Sequence, residues 1–149
     1  MRLAFPAFVI LMTLLIGATT AEANNATLKT TINHWSLKIG TDANAVALDA
    51  KQRHPHLMTV DAIRFHNDAL RARAATAAQH ATTAKGIHAR RLALSAFHRY
   101  SLAGRDWAAS GRARVAQHRP RALTLATAGA RNARTGNALL VDAGKLLRP

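Results

Sequence analysis

Between Pro55 and Pro120 run 64 residues without a proline, and the chain's other two prolines stand at positions 6 and 149. So long an alanine-rich stretch exceeds one globular helix and shows no period-two alternation that would make strands. The chain therefore folds as a few long helices broken where proline or glycine allows it. Lys85-Gly86 is the best interior break: the lysine favours the negative end of a helix dipole, and the glycine takes the left-handed position past it. Four segments of nearly matched length follow, at about 27–53, 59–85, 87–118 and 121–147. Matched helices with short connections pack antiparallel, so the expected fold is an all-α antiparallel four-helix bundle.

Helical periodicity supports each segment. Leu28, Ile32, Trp35, Ile39, Val46 and Ala50 fall three, four or seven residues apart in the first. In the second, Thr59 is the expected N-cap with Met58 stapled onto Ile63, and Ile63, His66, Leu70, Ala74, Ala77, Ala81 and Ala84 line one side. Leu92, Ala96, Tyr100, Ala103 and Trp107 do so in the third, and Leu123, Ala126, Ala130, Ala133, Leu140 and Leu147 in the fourth. Alanine buries little area, so stability rests on few large residues. The expected core is Trp35, Ile39, Ile63, Leu70, Leu92, Tyr100, Trp107, Leu123 and Leu140. Gly104, Gly111, Gly129, Gly136 and Gly144 are expected to kink the last two helices, with Gly136-Asn137 the main interruption.

The first residues form a targeting pattern. Arg2 precedes an apolar run from Leu3 to Ala18, and Ala21-Glu22-Ala23 has the small-x-small spacing of a signal-peptidase site. Residues 1–23 therefore read as a cleavable signal peptide and residues 24–149 as a single helical domain, secreted or periplasmic, with no transmembrane segment in the mature form. Asn25-Ala26-Thr27 matches a glycosylation pattern too short to carry weight.

Charge narrows the function. Lysine and arginine number 21 against seven acids, a formal charge of +14, and the excess is uneven. Residues 24–86 hold eight basic and four acidic groups, whereas residues 87–149 hold twelve and two. Arg91, His98, Arg105, Arg112 and Arg119 recur every seven residues, which returns to nearly the same azimuth and makes one cationic stripe on the third helix. After residue 23, arginine outnumbers lysine fifteen to five, and a guanidinium fork meets phosphate or carboxylate oxygens at two points. The aspartates have basic neighbours at helical spacing, Lys38 with Asp42, Asp49 with Arg53, Asp61 with Arg64, and Asp68 with Arg71 or Arg64, and read as weak surface pairs.

Other chemistries find little support. With no cysteine there is no disulfide framework, thiol nucleophile or thiolate metal site. Glu22 is the sole glutamate, and no G-x-S-x-G, P-loop or H-E-x-x-H motif occurs, so no enzyme is expected. Among eight histidines, His54 and His56 flank Pro55 and are the weak metal candidates; no metal or other cofactor is expected. His66 reads as a hydrogen-bonded core histidine, and Tyr100 as a packed ring with its hydroxyl at the surface. The expected function is electrostatic binding of a polyanion or anionic surface, be it nucleic acid, cell-wall polymer or phospholipid head groups. The expected binding residues are Arg90, Arg91, His98, Arg105, Arg112, Arg119, Arg121 and Arg131. The alternatives are a helical protein that binds an acidic protein partner or plays a structural part, and a small-ligand bundle carrying haem or metal.

Overall fold

The computed structural model describes residues 5–148, with side chains described from residue 21 onward. Of the expected signal peptide, residues 1–23, residues 1–4 lie outside the described residues, and residues 5–23 are described as the start of α1, which thus begins well before the expected position near 27. The described chain forms α1 (Phe5–Gln52), α2 (Pro55–Ala77), α3 (Ala84–Val115) and α4 (Arg119–Leu146), with no strand among the described residues. The fold is the expected all-α four-helix bundle. Lys38 of α1 meets Asp68 of α2, and Asp42 meets Arg64. Gly104 of α3 lies against Ala62 and His66, and Gly111 against Pro55 and Thr59. Trp107 lies against Gly129 of α4, and Tyr100 against Gly136. In each pairing one number rises as the other falls, so successive helices are antiparallel.

Two of the three connections are tight and built alike. After α1, the His54 amide donates to Asp49 O (2.9 Å) with Arg53 left-handed at φ 62°. After α3, the His118 amide donates to Ala113 O (2.8 Å) with Gln117 at φ 61°. Both are Schellman closures, and in each the next helix begins within two residues on a proline at its first or second position. The third connection differs from expectation. Helix α2 ends at Ala77 rather than near residue 85, and Thr83 caps α3 by accepting the Gly86 amide (3.0 Å). Gly86 therefore sits buried in the first turn of α3 instead of closing α2. Asn25 donates to Thr83 (2.9 Å), tying α1 to the connection, and a threonine hydroxyl here competes better for the free amides than another alanine turn would. Thr59 is not a cap either: α2 has already begun at Pro55, and the Thr59 hydroxyl donates to the Pro55 carbonyl.

The core follows the small residues. Phe65 and Phe97 are fully buried and, with Tyr100 and Trp107, form an aromatic cluster: Phe65 stands edge-on to Tyr100 at 5.9 Å and tilted to Trp107 at 5.2 Å. Ile39 and Tyr100 are buried as expected, while Trp35, Leu92, Trp107 and Leu140 pack half-buried around them. Ile63, Leu70 and Leu123 are instead exposed, at 43%, 42% and 67%. The buried face of α2 is Met58, Ala62, Phe65, Ala69, Ala72 and Thr76, a stripe rotated from the expected one because it is this side, with Phe65 against Tyr100 and Trp107, that meets the aromatic cluster of α3. On α4 the buried residues are Ala122, Gly129, Gly136 and Ala143, a heptad of small side chains.

The glycines do not interrupt α3 or α4, which are both continuous. Gly104, Gly111, Gly129 and Gly136 are instead points of close approach between helices. A methyl at Gly104 would lie 2.8 Å from the His66 backbone nitrogen and 2.9 Å from the Ala62 carbonyl oxygen, so Gly104→Ala forces α2 and α3 apart. Gly144 has nothing within 4 Å. Urea unfolding of the two alanine variants is expected to split them: Gly104→Ala loses about 1 to 3 kcal/mol by overpacking, and Gly144→Ala gains roughly 0.5 to 1 kcal/mol of helix propensity. Equal effects at the two positions would contradict this account of the helix crossings.

Candidate anion-binding surface

The carboxylates decide which cations are free. Asp42, Asp49 and Asp68 are buried in the seam between α1 and α2, with Asp61 half-buried beside them. Two of the pairs that helical spacing suggests do form, Asp61 with Arg64 and Asp68 with Arg71, but the antiparallel packing of α1 on α2 buries Asp68 and adds partners from the facing helix. Lys38 bridges to Asp68 (2.9 Å) rather than Asp42, Arg64 reaches Asp42 (3.3 Å) as well as Asp61 (2.6 Å), and Arg71 joins Asp68 (3.1 Å). Asp49 has no salt bridge to Arg53. Seven-residue spacing on each helix, Asp42 with Asp49 and Asp61 with Asp68, brings the acids together as two carboxyl pairs, Asp42–Asp68 and Asp49–Asp61.

Neighbouring carboxylates disfavour each other's ionisation. Burial, and then the adjoining Asp68, push Asp42 above the ordinary carboxylate value of 3.8. Burial and Asp61 do the same to Asp49. Burial alone would raise Asp68 too, but hydrogen bonds from Lys38 and Asp42, with the charges of Lys38 and Arg71, outweigh it and hold Asp68 below that value. Asp42 Oδ2 and Asp49 Oδ2 are buried without a hydrogen-bond partner, which fits the burial that raises both groups.

The seam thus occupies Lys38, Arg64 and Arg71, leaving two carboxylates for α3 and α4. Asp106 accepts from Asn132 (3.1 Å) and lies 3.6 Å from Arg105, and Asp142 pairs with Lys145 (2.8 Å). Of the sequence-predicted binding residues, Arg91, His98, Arg105 and Arg112 are all exposed on α3, so the stripe exists over its first four members. Arg119 does not belong to that helix: α3 ends at Val115, and Arg119 opens α4 beyond the turn. Arg121 and Arg131 are exposed on α4. Arg90 has another occupation. Its guanidinium donates to the Thr76 carbonyl (3.3 Å) and to that of Ala77, and so closes the C-terminus of α2. Apart from Arg105, none of these arginines meets a carboxylate among the described residues.

A second concentration of charge was not foreseen. The two Schellman turns lie at the same end of the bundle, and a cleft of about 910 Å³ between them is lined by Arg53, Pro55, Arg114, Gln117, Arg119, Ala122 and Leu123. Residues 51–57 and 112–123, which build this end, hold six lysines and arginines, three histidines and no carboxylate. Sequence reasoning passed over Arg53, Arg114 and Gln117 because the two connections are some sixty residues apart. Their shared chemistry, a histidine and a helix-opening proline among arginines, was the available signal.

The histidines take ordinary places. His66 Nδ1 donates to the Ser101 carbonyl (2.7 Å) across α2 and α3, as expected of a hydrogen-bonded core histidine. The Tyr100 hydroxyl is not free at the surface but donates to Asn137 Oδ1 (2.5 Å), and burial pushes the phenol up to about 12. His54 and His56 are exposed at the start of α2, and among the described residues no three His, Asp or Glu side chains gather as a metal site. Among the same residues no helix is long and apolar enough to cross a membrane.

The carboxyl pairs give the seam a pH signature. The raised values at Asp42 and Asp49 contribute stability that is complete below pH 3.8 and fades as pH rises through those values. The lowered value at Asp68 contributes above 3.8 and is lost as pH falls through it. In melting curves from pH 7 to 4, Asp49→Asn is expected to be at least as stable as the wild type at pH 7, with the wild type catching up as the pH falls. A difference between the two that stays constant over this range would refute the raised value at Asp49. No protein family, characterised protein or solved structure compared with the chain matches it.

Proposed function

We propose that the protein is an exported basic helical protein that binds an anionic polymer or anionic surface through the exposed arginines of α3 and α4. The observation that carries this reading is the segregation of charge. Three of the six aspartates beyond residue 23 are buried in the α1–α2 seam and a fourth is half-buried there, so the outer faces of α3 and α4 keep Arg91, Arg112, Arg119, Arg121 and Arg131 without carboxylate partners. Exposed guanidinium groups in this number favour an anion that takes several at once, because each contact releases condensed counterions. Nucleic acid, cell-wall polymer and phospholipid head groups all present such a surface, and recognition by charge and spacing does not choose strongly among them.

The mechanism is docking without chemistry. Cations along α3 steer the protein to the polymer and exchange for its counterions, while the bundle keeps its shape because none of these side chains is buried. Binding of a long polyanion such as heparin or duplex DNA is expected to weaken steeply with salt. The triple variant Arg91→Gln, Arg105→Gln, Arg131→Gln is expected to lower the slope of log affinity against log salt by about 2 to 3 without shifting the unfolding midpoint. Affinity that does not respond to salt would rule this function out, and a single stoichiometric acidic protein in place of polymer binding would favour a partner-binding role instead.

A further inference from the structure

The cleft between the two Schellman turns differs from the rest of the cationic surface in being concave and in where it places strained backbone. A left-handed residue closing a helix is ordinarily glycine, because any side chain there crowds the following carbonyl. This chain has eight glycines, yet it puts Arg53 (φ 62°) and Gln117 (φ 61°) at both such positions. Both line the same cleft. Side chains retained where glycine would be easier point to a use for the side chain, and strained residues gather at binding sites for that reason. Arg114 and Arg119 enter the same wall from either side of the second turn. Helices α2 and α4 both start at this end, and neither start is closed by a side chain, so their free amides add partial positive charge. No carboxylate offsets it within residues 51–57 or 112–123.

We infer that this cleft is a discrete site for a compact polyphosphate group, held by Arg53, Arg114 and Arg119 with Gln117 as a neutral donor. Three arginines lining one concavity match an anion with several oxygens on adjacent centres, a demand that phosphate chains and phosphomonoesters meet and a single carboxylate does not. The cleft volume lies within the range of small-molecule sites and accommodates such a group with part of its hydration. This deepens the anion-binding reading and rests on it, but uses residues that the α3 stripe does not need.

The test is calorimetric titration of the full chain with inorganic tripolyphosphate at 150 mM salt. Arg53→Gly and Arg114→Gln are each expected to weaken binding about tenfold, the loss of one charge-assisted contact. Arg53→Gly is also expected to unfold at the same or a higher temperature, since glycine relieves the left-handed position, so its weaker binding cannot come from a damaged fold. Gln117→Gly should behave alike with a smaller effect on binding. Arg91→Gln, on the outer face of α3, is expected to leave tripolyphosphate affinity within twofold while weakening the binding of long polyanions. Vesicles carrying phosphatidic acid separate the sources of phosphate: a head-group ligand loses vesicle binding in the same two variants, whereas a soluble ligand leaves it unchanged, and either pattern supports the site. No heat of binding with tripolyphosphate, or an affinity that Arg53→Gly and Arg114→Gln leave intact, overturns it. If heparin binding still depends on Arg91, Arg105 and Arg131 in that case, the broader function stands without the cleft.

Discussion

The packing of two aromatic rings onto two glycines holds this bundle in shape. Tyr100 and Trp107 are seven residues apart on α3, and the glycines beneath them, Gly136 and Gly129, are seven apart on α4 in the opposite direction. A helix with so few large side chains gains little from burial unless it approaches closely, and each glycine lets a ring lie against bare backbone. Phe65 and Phe97 complete the cluster from α2 and α3, where Gly104 and Gly111 allow the same closeness. The propensity cost of a glycine in a helix, about 1 kcal/mol, is offset by the contact it opens. This is why four long alanine-rich helices form a defined bundle without a large aliphatic core.

Close approach also shapes the electrostatics. With α1 laid along α2, aspartates spaced at seven residues on each helix are brought into opposing pairs, and the pairs capture Lys38, Arg64 and Arg71. An isolated buried ion pair adds little net stability, because desolvation cancels most of the attraction. Adjoining carboxyls add to that cost, which is why burial and the neighbouring aspartate push Asp42 and Asp49 above the ordinary carboxylate value. The consequence lies elsewhere in the molecule: four of the six aspartates beyond residue 23 lie in one seam, and Arg91, Arg112, Arg119, Arg121 and Arg131 face solvent without a carboxylate partner.

The two short connections join these themes. Each ends a helix in a left-handed residue and begins the next within two residues, which places α1 with α3 and α2 with α4 at opposite polarity at that end. Side-chain charge accumulates there because Lys51, Arg112 and Arg114 suit the negative ends of α1 and α3, while the starts of α2 and α4 are followed by His56 and Arg121 rather than by acids. The first set answers the helix dipoles. The second opposes them and is the part that local helix stability does not explain.

Length, proline spacing and helical periodicity were sufficient for the fold class and for α3 and α4 to within a few residues at both ends, as well as for the end of α1, because these are local properties of the chain. So was the exposed stripe from Arg91 to Arg112, since seven-residue spacing keeps one azimuth in any straight helix. Where α2 ends was not local, since Thr83 caps α3 in partnership with Asn25 of α1. Nor was the buried face of α2, as the choice between Phe65 and Ile63 depends on which side meets the aromatic cluster. Glycine in a helix looks like a weakness until a ring from another helix is seen lying on it. The carboxyl pairs, the capping of α2 by Arg90 and the cleft shared by Arg53, Arg114, Gln117 and Arg119 all join residues distant in sequence. They exist only through the antiparallel register, and that register is set by packing between helices rather than by the sequence of any one of them.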